Sequence, residues 1–166
     1  MRYITNKNGF TLIELMVVLA IIGIMVMIAV PSYIALLPSL RIREASGNLS
    51  SALTTARYRS ISNGVEFRVL FDPSANTYQI DKGNAYTGSG VWATESAAQT
   101  LPPGITYLVS DLPTDGGGNY ICVFGPDGRM KNFTSNTHNI DITNQKGKLY
   151  RIQITARTGY VQTIKT

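Results

Sequence analysis

The chain has 166 residues and a net charge of +5, from 15 Lys and Arg against 10 Asp and Glu. Only 15% of residues are charged, so Ser, Thr and Asn take over much of the polar surface. One Cys and one His exclude an intrachain disulfide and a Cys/His metal cluster.

Residues 1–9, MRYITNKNG, form a polar leader with Arg2 and Lys7 and no acid. Residues 10–30 then read FTLIELMVVLAIIGIMVMIAV, with Glu14 as the single charge. A membrane-crossing helix needs about 20 predominantly apolar residues, so this stretch is long enough to span. A carboxylate at its start costs roughly 2.5–3.5 kcal/mol on insertion scales and therefore calls for a partner. Two ordinary readings fit less well. A secretory signal has an apolar core of roughly 7–15 residues and a small-residue cleavage site, whereas here Tyr33 stands where a site near Ala35 needs a small side chain. A simple membrane anchor needs no glutamate.

Pro31 follows the apolar run and Pro38 lies seven residues on. Proline lacks the N–H and crowds the preceding turn, so a bent or loosened helix is expected over 31–38. From 40 to 62, Ile42, Ala45, Leu49, Ala52, Leu53, Ala56 and Ile61 recur at helical spacing, opposite Arg41, Arg43, Ser46, Asn48, Ser51, Thr54 and Arg59. This is an amphipathic helix with a narrow core-facing stripe, and Asn63-Gly64 supplies its stop. Helical throughout, residues 10–63 would extend about 80 Å at 1.5 Å per residue.

Beyond Gly64 the period changes. Residues 65–71 alternate as a strand with one buried face, 72–74 turn, and 77–80 return. Residues 81–99 read as a long loop holding a short strand near Trp92. Residues 105–109 are a strand and 110–119 a loop. In that loop Asp111 and Asp115 are weak calcium candidates, since two acids in a glycine loop are usually solvated. Residues 120–124 and 129–133 flank Gly125-Pro126-Asp127-Gly128 as a hairpin, 139–143 form another strand, and 149–154 with 160–164 form a last hairpin. Cys122 sits in the apolar run YICVF and reads as a buried thiol, with an intermolecular bridge as the lesser reading. His138 lies in a polar stretch read as loop.

Lys7-Asn8-Gly9-Phe10-Thr11-Leu12-Ile13-Glu14-Leu15 resembles the class III signal of type IV pilins and pseudopilins. The resemblance implies cleavage after Gly9 by prepilin peptidase, N-methylation of Phe10 as the new N-terminus, and a role in assembly for Glu14, whose charge pairs with that amine on a neighbouring subunit. Pro31 stands where pilins commonly carry a proline. The implied fold is α+β: a pilin fold, with a long hydrophobic N-terminal helix packed on a C-terminal antiparallel β-sheet domain. The expected divisions are a cleaved leader at 1–9, a membrane and filament-core helix at 10–38, an amphipathic helix at 39–63, and a periplasmic β-rich domain at 64–166. Arg2 and Lys7 favour a cytoplasmic leader, but Arg41 and Arg43 lie beyond the span, so the orientation rests on the resemblance.

The segment around Ala52-Leu53-Thr54-Thr55-Ala56, Phe124-Gly125-Pro126-Asp127-Gly128 and the closing Thr158-Gly159-Tyr160-Val161 is similar to the GspH/FimT branch of minor pilins and pseudopilins. Two functions follow from it. One is a structural subunit of the tip or priming complex of a type IV pilus or type II secretion pseudopilus, with other pilin subunits, prepilin peptidase and inner-membrane lipid as partners. The other adds DNA binding, as in branch members active in natural transformation. Lys146, Lys148, Arg151, Arg157 and Lys165, with no acid among them and two tyrosines interleaved, offer phosphate contacts and stacking surfaces. Those DNA binders carry a Gly-Arg-x-Arg tail, whereas Gly159 here is followed by Tyr160. No nucleophile–base pair and no metal-ligand spacing is present, so neither enzymatic activity nor a cofactor is expected.

Overall fold

The computed structural model describes residues 10–131 and 133–165. Its first element, α1, runs over Leu12–Asn63. Thr11 caps it: the hydroxyl oxygen accepts from the Glu14 N–H at 3.2 Å, and the Thr11 carbonyl accepts from Leu15 N–H at 3.2 Å. Thr11-x-x-Glu14 has the spacing of a capping box, with an acid in the positively polarised first turn. The helix ends where Gly64, at φ +67°, turns left-handed and donates to the Ser60 carbonyl. Helical backbone continues through Pro31 and Pro38, so the loosening expected over 31–38 does not interrupt it. The two prolines remove only the donors that Met27 and Ile34 carbonyls would otherwise receive.

The chain divides into two units at Leu37/Pro38. In the first, every described residue from 10 to 36 is exposed. In the second, α1 contributes Ile42, Ala45, Leu49, Ala52, Leu53 and Ala56 to a core shared with two antiparallel sheets. Ile61, also expected in the stripe, is 46% exposed, and Ser60 is buried beside it.

The first sheet contains β1 (Phe67–Asp72), β2 (Thr77–Gly83), β3 (Trp92–Thr94) and β4 (Gln99–Thr100), and farther along the chain β6 (Tyr120–Phe124) and β7 (Met130–Lys131). Its order is β3-β2-β1-β6-β7, with β4 also paired to β2. Phe67, Val69 and Phe71 alternate inward, and Val69 stands between Ile80 of β2 and Cys122 of β6, all buried. The second sheet, ordered β10-β9-β8-β5, contains β5 (Ile105–Ser110), β8 (Thr137–Asn144), β9 (Leu149–Thr155) and β10 (Tyr160–Lys165). Its buried row pairs Ile140 with Ile152 and Ile142 with Tyr150. Burying a large aliphatic or aromatic side chain contributes roughly 1.5–3 kcal/mol, so these alternating rows are the main stabilising term.

Glu66 helps to hold the 84–91 segment, with the Ser89 hydroxyl on Ala85 and Asn84 Oδ1 on Val91 N–H. Glu66 is buried, and its carboxylate accepts from the backbone N–H of Gly88 at 3.1 Å and Ser89 at 2.8 Å. Its own backbone bonds Ala85 and Gly83. A buried carboxylate is tolerable when backbone donors satisfy it.

Candidate functional site

Gly9 lies outside the described residues. Phe10 is exposed, and Glu14 sits in the first turn of α1 with its backbone tied to the Thr11 cap. Among the described residues the Glu14 carboxylate has no ion-pair partner. Pro31 lies within the exposed helical stretch. α1 is long and apolar enough to cross a membrane, and its apolar window has no buried residue. An exposed row of Leu, Ile, Val and Met on that scale is not a stable surface in water and requires lipid or other subunits around it.

The segments that carry the branch resemblance meet at one junction. Arg57 Nε donates to the Gly128 carbonyl at 2.9 Å, and the buried Ser60 hydroxyl donates to Gly125 O at 2.9 Å. The β6–β7 turn is thereby fixed to α1. Gly128 is at φ +72°, and a Cβ there would meet Ile61 Cδ1 at 2.9 Å. Gly159, at φ +65°, faces the same point: a Cβ there would meet Gly128 O and the Arg57 side chain. Asp127 supports the turn by accepting from Arg129 N–H at 3.1 Å and pairing with Lys131 at 3.0 Å. Burial pushes its carboxyl up, but the Lys131 hydrogen bond and neighbouring cations outweigh that and hold it below the ordinary value.

The five basic residues of the C-terminal region do not form one patch. Lys146 and Lys148 lie in the β8–β9 turn, where Asn144 Oδ1 accepts from their backbone N–H groups at 3.0 and 2.9 Å. Lys165 pairs with Tyr150 across β10 and β9, so it lies at the same end of the sheet. Arg157 sits in the β9–β10 turn at the opposite end, separated by the seven-residue β9, about 20 Å at 3.3 Å per residue. Arg151 lies between them and is neutralised: its Nε and Nη2 donate to the two oxygens of the buried Asp141, each at 2.8 Å. That hydrogen bonding raises the Arg151 pKa further.

The Lys146–Lys148 end is also where the domain meets the start of its own helical segment. Asn144 Nδ2 donates to the Pro38 carbonyl at 3.1 Å, and Arg41 Nη1 donates to Pro103 O at 3.4 Å.

Asp111 and Asp115 are not brought together as a cation site. Asp111 accepts from the Asn139 backbone and side chain. Asp115 accepts from Gly117 N–H and from Asn119, whose side-chain hydrogen bond lowers the Asp115 pKa. Among the described residues no group of three His, Cys, Asp or Glu side chains is placed to hold a metal. Cys122 is fully buried, and burial pushes its thiol pKa far up, leaving it unreactive. His138 corrects the loop expectation: it is the second residue of β8 and 1% exposed. Its Nδ1 faces the Asp111 carbonyl at 3.1 Å, and Nε2 has no hydrogen-bond partner among the described residues.

Comparison with known proteins agrees with this architecture. The prokaryotic N-terminal methylation motif matches residues 4–30. The type IV major fimbrial protein FimA of Dichelobacter nodosus is 35% identical over 123 residues, which are 72% of this chain and 72% of FimA. The type IV major pilin PilA of Myxococcus xanthus is 38% identical over 74 residues, covering 40% of this chain and 34% of PilA. Among solved structures, the minor pseudopilin EpsH from the type II secretion system of Vibrio cholerae superposes with a TM-score of 0.54 at 12% identity, over 74% of this chain and 95% of that one. The type IV minor pilin FimU of Pseudomonas aeruginosa gives 0.54 at 12% identity, over 74% and 87%. At such identity the likeness is one of fold.

A long N-terminal helix carried into an antiparallel β domain is the pilin fold. The chain belongs to the type IV pilin family, whose members, pilins and pseudopilins, are structural subunits. Membership implies processing by prepilin peptidase and assembly with other pilin subunits.

Proposed function

We propose that this chain is a minor subunit of a type IV pilus or type II secretion pseudopilus, working in its tip or priming complex. The observation that carries the reading is the exposed apolar half of α1 with one carboxylate in its first turn. Such a helix is stable in a bilayer or among similar helices, and Glu14 gives it a reason to leave the first for the second. Residues 1–9 are the leader, removed after Gly9, and Phe10 becomes the methylated N-terminus. Residues 10–38 anchor the chain in the inner membrane, residues 39–63 are the helix against the sheets, and residues 64–166 form a periplasmic domain with the leader side cytoplasmic. The resemblance of the helix, the Phe124–Gly128 turn and the closing hairpin to the GspH/FimT branch supports the minor role, and Cys122 alone cannot close an intrachain disulfide loop.

The test is Glu14→Ala in cells that build the filament. The variant should insert and lose its leader normally, yet be absent from sheared filaments; normal incorporation refutes the assembly role. Wild-type copy number per filament decides the minor role, since a count near that of the bulk subunit overturns it. Gly9→Val should retain the nine leader residues by mass. DNA binding through Lys146, Lys148, Arg151, Arg157 and Lys165 has less support, because β9 separates Arg157 from the three lysines and Asp141 neutralises Arg151.

A further inference from the structure

We infer that the Pro38 end of the domain is a membrane-facing surface that contacts anionic lipid headgroups while the subunit is anchored. The inference rests on the anchoring reading above and adds a partner for the basic residues that reading leaves unused. Register gathers Lys146, Lys148 and Lys165 at this end, and Asn144 ties their turn to Pro38. Arg41 and the exposed Arg43 lie within the first helical turns beyond Pro38. Pro38 is eight residues past Val30, about 12 Å as helix and no more than about 29 Å for any conformation. The covalent chain alone therefore keeps this end within reach of the headgroups. Lysine suits the task, because its stem lies along protein surface while its ammonium reaches outward. Lys146 and Lys165 are exposed, and Lys148 is half-buried with Nζ over the Tyr150 ring, 6.0 Å from its centre.

The acids at this end are fewer or occupied. Glu44 is exposed on α1. Asp72, in the β1–β2 turn that reaches the same end through Asn76 and Ile105, accepts from Ser74 and Ala75. Each cation near an anionic surface favours contact by roughly fivefold, so three lysines suffice to orient an already tethered domain. A duplex would need a continuous charged track, which the distant Arg157 does not extend.

The full chain is inserted into vesicles of phosphatidylcholine alone or phosphatidylcholine with phosphatidylglycerol. It is then treated with an amine-acylating reagent, and labelling is read for each lysine by mass spectrometry. Lys82, paired with Phe67, and Lys131, beside the β6–β7 turn, lie at the far end and serve as internal references. The expected result is labelling of Lys146, Lys148 and Lys165 about fivefold or more slower in the anionic vesicles, restored by high salt, with Lys82 and Lys131 unchanged. Equal labelling in both vesicles overturns the inference. Protection that appears only when duplex DNA is added to neutral vesicles also overturns it and assigns the lysines to DNA. Vesicle flotation is read in parallel: a chain that floats without lysine protection refutes this inference alone, and one that fails to float refutes the anchoring reading with it.

Discussion

Replacing Gly159 with Ala tests the junction between α1 and the two sheets. Gly159 is at φ +65°, where a Cβ meets the following carbonyl, at a cost of roughly 1–2 kcal/mol. The new methyl would stand 2.7 Å from Arg57 Nε and 2.9 Å from Arg57 Cδ, and against Gly128 O. Overpacking of that kind costs roughly 1–3 kcal/mol more. Gly147→Ala is the control: it is at φ +73° with nothing within 4 Å of the new methyl, so it carries only the conformational cost. The expected losses are therefore roughly 2–5 kcal/mol for Gly159→Ala and 1–2 for Gly147→Ala. Urea unfolding of the full chain in detergent, followed by far-UV circular dichroism and by the fluorescence of the single Trp92, measures both. Equal midpoint shifts would show that the close approach of Gly159 to Arg57 and Gly128 is not tight, and would refute the argument.

Three further outcomes are expected. Gly47 is exposed in mid-helix with open space around it, so Gly47→Ala should stabilise by about 0.5–1 kcal/mol, read as a raised urea midpoint. Arg151→Gln leaves the Asp141 carboxylate without its paired donors; because Arg151 is half exposed, the loss should be only about 1 kcal/mol in the same titration. Asp127 is held below its ordinary pKa of 3.8 in the folded chain, so its contribution is complete above that pH and is withdrawn as the pH falls past the folded value. Asp127→Asn should therefore lower stability by about 0.5 kcal/mol at pH 7 and by less at pH 3, seen as converging midpoints.

Much of the fold was legible because its elements follow local periods. The six residues Ile42, Ala45, Leu49, Ala52, Leu53 and Ala56 were readable from helical spacing, and each is buried. Ile61 broke the pattern for a tertiary reason: Ser60 turns inward to meet Gly125 O, a partner 65 residues away that spacing alone does not show. His138 was recoverable, since Thr137-His138-Asn139-Ile140-Asp141-Ile142 alternates and places His138 on the side of Ile140 and Ile142. The polar neighbours outweighed that signal. The basic C-terminal region misled because closeness in sequence is not closeness across a hairpin. Register unites Lys165 with Lys148 and sends Arg157 to the other end. The Thr11–Glu14 cap was missed, although Thr11-x-x-Glu14 ahead of an apolar run has the capping-box spacing.

Cys122 has a practical consequence beyond its place in the core. It is the single thiol of the chain, on the central pair of β1 and β6, and it is sealed from solvent. A single thiol can form no intrachain disulfide, so reductants should leave the folded state untouched. A thiol-reactive dye can reach Cys122 only when the first sheet opens. The dye's capture rate thus acts as a built-in clock for how often the domain unlocks, in a bilayer or in a filament alike.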